Sequence, residues 1–224
     1  MSSPIAPEYE SQHPLSLERE GRAAEWFQAN ARAVGIAGGA IVLALLGGVA
    51  WRASERAKAQ RADQALYQAE ASLASSGDPR QAEQALRGVA TRYAGTSGGT
   101  QAQLLLAQTL YDAGRYQDGL NLLARGKAPP ELADAVQLLT AAGYEGLARG
   151  RDAAKIYEAL AAAGTIAPRR QAELKAAAAR GYMLANDRPA ATRLWSELAS
   201  SAESRIAAEA KLRLGELEAT ARGG

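Results

Sequence analysis

Residues 106–123 read LAQTLYDAGRYQDGLNLL, two short helical stretches that meet at Ala113-Gly114. In the first stretch a small residue, Ala107, is followed three positions later by Leu110. In the second, Gly119 is followed four positions later by Leu123. Both spacings put the pair on one face of a helix. Outward from this stretch the small-then-bulky pair recurs as Ala82/Leu86, Ala153/Tyr157 and Ala191/Trp195, in steps of 37, 34 and 38 residues. Twelve residues ahead of the small site, Ala107, Ala141 and Ala179 again supply alanine, followed by Leu110, Tyr144 and Tyr182. Small residues let two antiparallel helices approach closely, and large ones fill the gap between neighbouring pairs.

Breakers divide the chain accordingly. Gly77-Asp78-Pro79, the run from Gly95 to Gly99, Gly114, Pro129-Pro130, Gly164 with Pro168, and Asn186-Asp187 with Pro189 separate helical segments. These are expected near 52–76, 79–93, 99–113, 116–125, 130–148, 151–163, 168–185, 188–200 and 203–220. No stretch alternates with period two for long enough to compete as a strand, so the fold class is all-α. The step is close to the 34-residue tetratricopeptide period, and residues 106–123 resemble a tetratricopeptide unit. The expected architecture is an α-solenoid of about four helix pairs, closed by a polar-faced capping helix from Ala202 to Thr220.

A second feature precedes the array. From Ala33 to Trp51 the sequence AVGIAGGAIVLALLGGVAW carries no charge. As a helix it rises about 28 Å, close to the roughly 30 Å hydrocarbon core of a bilayer. Arg32 and Arg52 bracket it, Trp26 and Phe27 lie ahead of it, and Trp51 closes it. These five residues suit the two membrane interfaces. Gly48-Val49-Ala50 resembles a signal-peptidase site, but the leading 32 residues are long and net acidic, which favours an uncleaved signal-anchor. The domains expected are a disordered tail at 1–25, a transmembrane helix at 26–52 and a repeat domain at 53–224, with residues 33–51 in contact with lipid. Arginines flank both ends of the span, so charge alone assigns no orientation.

The chemistry bounds function by exclusion. A formal charge of +2, with no basic run longer than two residues, leaves no electrostatic footprint for nucleic acid. There is no cysteine, and the single histidine, His13, sits in a Pro- and Ser-containing tail. Phosphate-binding loops, nucleophile elbows and metal-spaced clusters are absent from the sequence. No catalytic residue, cofactor, metal or small-molecule substrate is expected. What remains is binding. On the repeat register the first helix of each pair lines a groove, with Gln101, Leu104, Gln108, Tyr111, Leu138, Glu145, Glu173, Arg180 and Met183 as its surface. That mixture suits peptide segments of a protein partner.

The order of parts is a further guide. A Trp-Phe-x-x-Asn segment at 26–30 leads into the glycine-rich span, followed by Trp51-Arg52 and then Ala65-Leu66-Tyr67. Degenerate repeats follow, ending near NDRPAATRLW at 186–195. This order resembles the YfgM-like proteins, ancillary subunits of the bacterial Sec translocon with a tetratricopeptide-like periplasmic domain. The resemblance implies a single-pass bacterial inner-membrane protein with its N-terminus cytoplasmic and its repeats periplasmic. It also implies Sec translocon subunits and a membrane-anchored periplasmic chaperone as partners, and an adaptor role without catalysis. A tethered tetratricopeptide scaffold for another envelope assembly or division complex is the alternative.

Overall fold

The computed structural model describes residues 30–76, 78–163 and 166–222. Nine α-helices and one 3-10 turn are present among the described residues: α1 (Ala31–Ser76), α2 (Pro79–Arg92), α3 (Ser97–Asp112), α4 (Tyr116–Arg125), a 3-10 turn (Pro130–Leu132), α5 (Ala133–Gly146), α6 (Gly150–Ala162), α7 (Pro168–Leu184), α8 (Arg188–Ala199) and α9 (Ser204–Arg222). No strand occurs among them. The chain divides into two compact units, Met1–Glu55 and Arg56–Gly224.

The first unit is described only through the N-terminal part of α1. The expected tail at 1–25, with Trp26 and Phe27, lies outside the described residues, as do the side chains of 31–42, Arg32 included. Leu43, Leu45, Leu46, Val49 and Trp51 are all more than 60% exposed, and Arg52 is exposed too. Among the described residues no helix is long and apolar enough to cross a membrane. Ten of the nineteen residues in the expected span, 33–42, carry side chains that fall outside that set.

In the second unit, each helix from α2 to α9 packs against its successor. Two further contacts, α3 with α5 and α7 with α9, join first helices of successive pairs. That next-neighbour pattern is how helix pairs stack into a solenoid. The register positions fill its core: Ala82, Ala107, Ala141, Ala153, Ala179 and Ala191 are buried, with Leu86, Leu110, Leu123, Tyr157, Tyr182 and Trp195 beside them. Leu66 and Ala69 of α1 share a cluster with Leu86, Val89, Ala102 and Leu106. Trp195 is completely buried, and its indole N–H donates to the Met183 Sδ at 3.2 Å.

Local chemistry explains the boundaries. Asp78 caps α2 by accepting from the Arg80 N–H at 2.9 Å, with Pro79 in the first turn. Thr96 caps α3 by accepting from the Gly99 N–H at 3.1 Å, which starts that helix at Ser97 instead of residue 99. The turn from first to second helix has one shape in three successive pairs. Gly114, Ala148 and Asn186 each adopt positive φ, at 74°, 56° and 55°. Behind each, the next amide reaches back five residues: Arg115 to the Leu110 carbonyl, Arg149 to Tyr144 and Asp187 to Tyr182, at 2.7–2.8 Å. These are left-handed helix C-caps of the Schellman type. The expected 130–148 segment resolves into the 3-10 turn and α5, which ends at Gly146 ahead of the left-handed turn at Ala148.

Candidate functional site

The expected binding surface lies on the first helix of each pair, and its residues divide by environment. On α3, Gln101 and Gln108 are exposed, and Gln108 donates to the Asp112 carboxylate at 2.8 Å. Leu104 is half-buried against Ala107, Tyr111 and Leu123. This end of the surface presents uncharged amides over an aliphatic base. On α5 and α7, Leu138 and Met183 are half-buried against the C-terminal core, while Glu145 and Arg180 are exposed.

Charge concentrates at the C-terminal end. Arg180 reaches from α7 to Glu209 of α9 at 2.9 Å. Glu173 pairs with Arg169 at 3.2 Å and Arg170 at 3.6 Å. Glu145 bonds the phenol of Tyr157, whose pKa is pushed up to about 12, first by burial and then by the Glu145 charge. Arg180 and Arg170 face the same phenol and oppose that rise. Glu145, Arg170, Glu173, Arg180 and Glu209 therefore form one polar field across α5, α7 and α9. Half-exposed pairs of this kind contribute little to stability but set which charges a partner meets.

Tyr111 lines no open surface. It is 6% exposed, wedged where Gly119 of α4 and Gly143 of α5 leave no room for a side chain of their own. Its ring lies 5.5 Å from that of Tyr116. Its hydroxyl is buried without a hydrogen-bond partner among the described residues, and burial, followed by the Tyr144 phenol, pushes its pKa up to about 12. The register puts Tyr111 on the groove face of α3; the two glycines on the neighbouring helices turn it into packing. The pairing of a bulky residue with glycine across the next helix was the available signal.

Among the described residues no three acidic, histidine or cysteine side chains gather to hold a metal ion. A concavity that the sequence did not point to lies elsewhere, between α2 and α4, with a volume of about 640 Å³.

A family model described as a tetratricopeptide repeat-like domain matches residues 24–126, somewhat under half of the chain. The matched stretch begins ahead of the apolar run and ends after α4, so it takes in the first two helix pairs. No curated protein and no solved structure matches the chain. Residues 24–126 are thus similar to a tetratricopeptide repeat-like domain.

Proposed function

We propose that the chain is a non-enzymatic, membrane-tethered adaptor whose repeat domain holds protein partners at the Sec translocon. The observation that carries the tether is the nineteen-residue uncharged run at 33–51, in which Leu43, Leu45, Leu46, Val49 and Trp51 stand more than 60% exposed. A water-soluble domain rarely leaves so continuous an apolar face uncovered, whereas lipid covers it at no cost. The family match supports the same reading, because it begins at residue 24 and embraces both the run and the first repeats. The repeat surface then supplies the binding function: amides and leucine on α3, a polar field on α5 and α7. Translocon subunits and a periplasmic chaperone as partners, the inner membrane as location and the periplasm as the side of the repeats all rest on the resemblance in order of parts.

The test is copurification of the full chain from crosslinked membranes. The adaptor reading requires Sec subunits or a membrane-anchored periplasmic chaperone among the captured proteins. Their absence, with firm capture of one folded envelope protein instead, moves the assignment to an envelope scaffold.

A further inference from the structure

We propose that the cleft between α2 and α4 is a second docking surface, one that takes an acidic segment of a protein partner with at least one apolar side chain. The cleft belongs to the second helices of the first two pairs, away from the first-helix surface described above. Its walls are Arg87 and Thr91 on α2, with Ala94 in the turn that follows, and Asp118, Leu122 and Arg125 along one face of α4. Leu110 of α3 closes the floor between them. The volume, about 640 Å³, falls within the range of sites that bury a ligand of side-chain or short-peptide size.

Two observations set the chemistry of the occupant. The first is charge. Arg87, Arg115 and Arg125 line the cleft against one carboxylate, Asp118. Arg87 and Arg115 lean on Glu83, at 2.6 and 2.9 Å, and Arg115 also holds Asp118 at 2.8 Å. Arg125, at the C-terminal end of α4, has no ion-pair partner among the described residues and is exposed. A guanidinium in that position offers a planar pair of donors, the geometry that carboxylates take up. The second observation is the floor. Ala90, Leu110 and Leu122 give the cleft an apolar base, which a bare polyanion would leave unused. Buried Gln103 fixes this base by donating to the Leu122 carbonyl at 2.7 Å.

The corresponding space further along is bridged. Between α6 and α8, Arg151 pairs with Asp187 at 3.1 Å and Glu158 with Arg193 at 2.6 Å. Between α2 and α4 one contact, Glu83 with Arg115, spans the gap at one end, and Arg125 stands unmatched at the other. An acidic side chain of a partner supplies what Glu158 supplies to Arg193.

Fluorescence anisotropy on the full chain in detergent tests this. The probes are a labelled glutamate-rich peptide with a central leucine pair, the same peptide with lysine for glutamate, and an oligothymidine of equal charge. The variants are Arg125→Glu, which reverses the unmatched charge, and Thr91→Trp, which fills the cleft from an exposed position. Lys155→Glu, on the exposed face of α6, is the charge-reversal control, and circular dichroism verifies folding of all three. The expected result is binding of the glutamate peptide alone, weakened about tenfold or more by each cleft variant and by high salt, and unchanged by Lys155→Glu. Absence of binding, equal binding of the lysine peptide or the oligothymidine, survival of binding in either cleft variant, or equal loss in Lys155→Glu overturns the proposal.

Discussion

The three left-handed turns allow the repeat register to be tested one residue at a time. Gly114, Ala148 and Asn186 occupy the same backbone conformation, with φ between 55° and 74°. Their hydrogen bonds are the same, including Ala148 N–H to the Glu145 carbonyl at 2.9 Å and Arg149 N–H to Tyr144 at 2.8 Å. Only the side chain differs. Alanine in the left-handed region costs about 1–2 kcal/mol from crowding of its Cβ against the carbonyl oxygen. Glycine escapes that cost but loses about 0.4–1 kcal/mol through the greater freedom of its unfolded chain. The balance makes Ala148→Gly stabilising by about 0.5–1 kcal/mol. The mirror change, Gly114→Ala, is destabilising by about the same amount. In a domain of this size 1 kcal/mol moves the melting midpoint by about 2–4 °C. Thermal unfolding of the full chain in detergent, followed by far-ultraviolet circular dichroism, resolves a rise for Ala148→Gly and a fall for Gly114→Ala. If Ala148→Gly lowers the midpoint, as glycine does inside an ordinary helix, the third pair does not turn as the second does and the repeat register breaks there.

Four further outcomes follow from the packing. Trp195→Ala removes a fully buried indole and its bond to Met183, and should cost about 3–5 kcal/mol in chemical denaturation. Gly143→Val drives two methyl groups into the space of the Tyr111 ring and should cost about 1–3 kcal/mol by the same measurement. Arg193→Ala, by contrast, should change stability by no more than about 1 kcal/mol, because both Arg193 and Glu158 keep substantial exposure. Tyr111 and Tyr157 have pKa values pushed up to about 12 from 10, so the folded state keeps phenol protons that the unfolded chain releases. Their contribution is complete below pH 10 and declines as pH rises towards 12. Tyr111→Phe with Tyr157→Phe should flatten that alkaline decline.

Much of the array was legible because its signals are local and repeated. A small residue four positions before a bulky one marks a close helix crossing, and Ala82/Leu86 through Ala191/Trp195 all lie in the core. Proline and glycine punctuation placed most boundaries within two residues. The misses share a physical origin. The turn after α5 has alanine, not glycine, at its left-handed position 148, and its hydrogen bonds back to Tyr144 and Glu145 hold it. Thr96 starts α3 among glycines that look like a loop but sit inside the helix. Tyr111 follows the groove register on its own helix; its burial is decided by Gly119 and Gly143 on two others. The α2–α4 cleft needs three helices in place before it exists, so no window of sequence displays it. The contacts of the expected groove residues were not legible: Arg180 finds Glu209 on α9, and Glu145 finds Tyr157 on α6, through pairings that periodicity along one helix does not encode.

The proposed anchor places the repeats on the far side of the membrane from the N-terminus, and a periplasmic-activity reporter fused after Gly224 tests that arrangement directly. The expected result is an active reporter that stays with the membrane fraction. An inactive fusion, together with activity of a cytoplasm-dependent reporter at the same position, would contradict it and put the repeats, and every partner proposed for them, on the other side of the membrane.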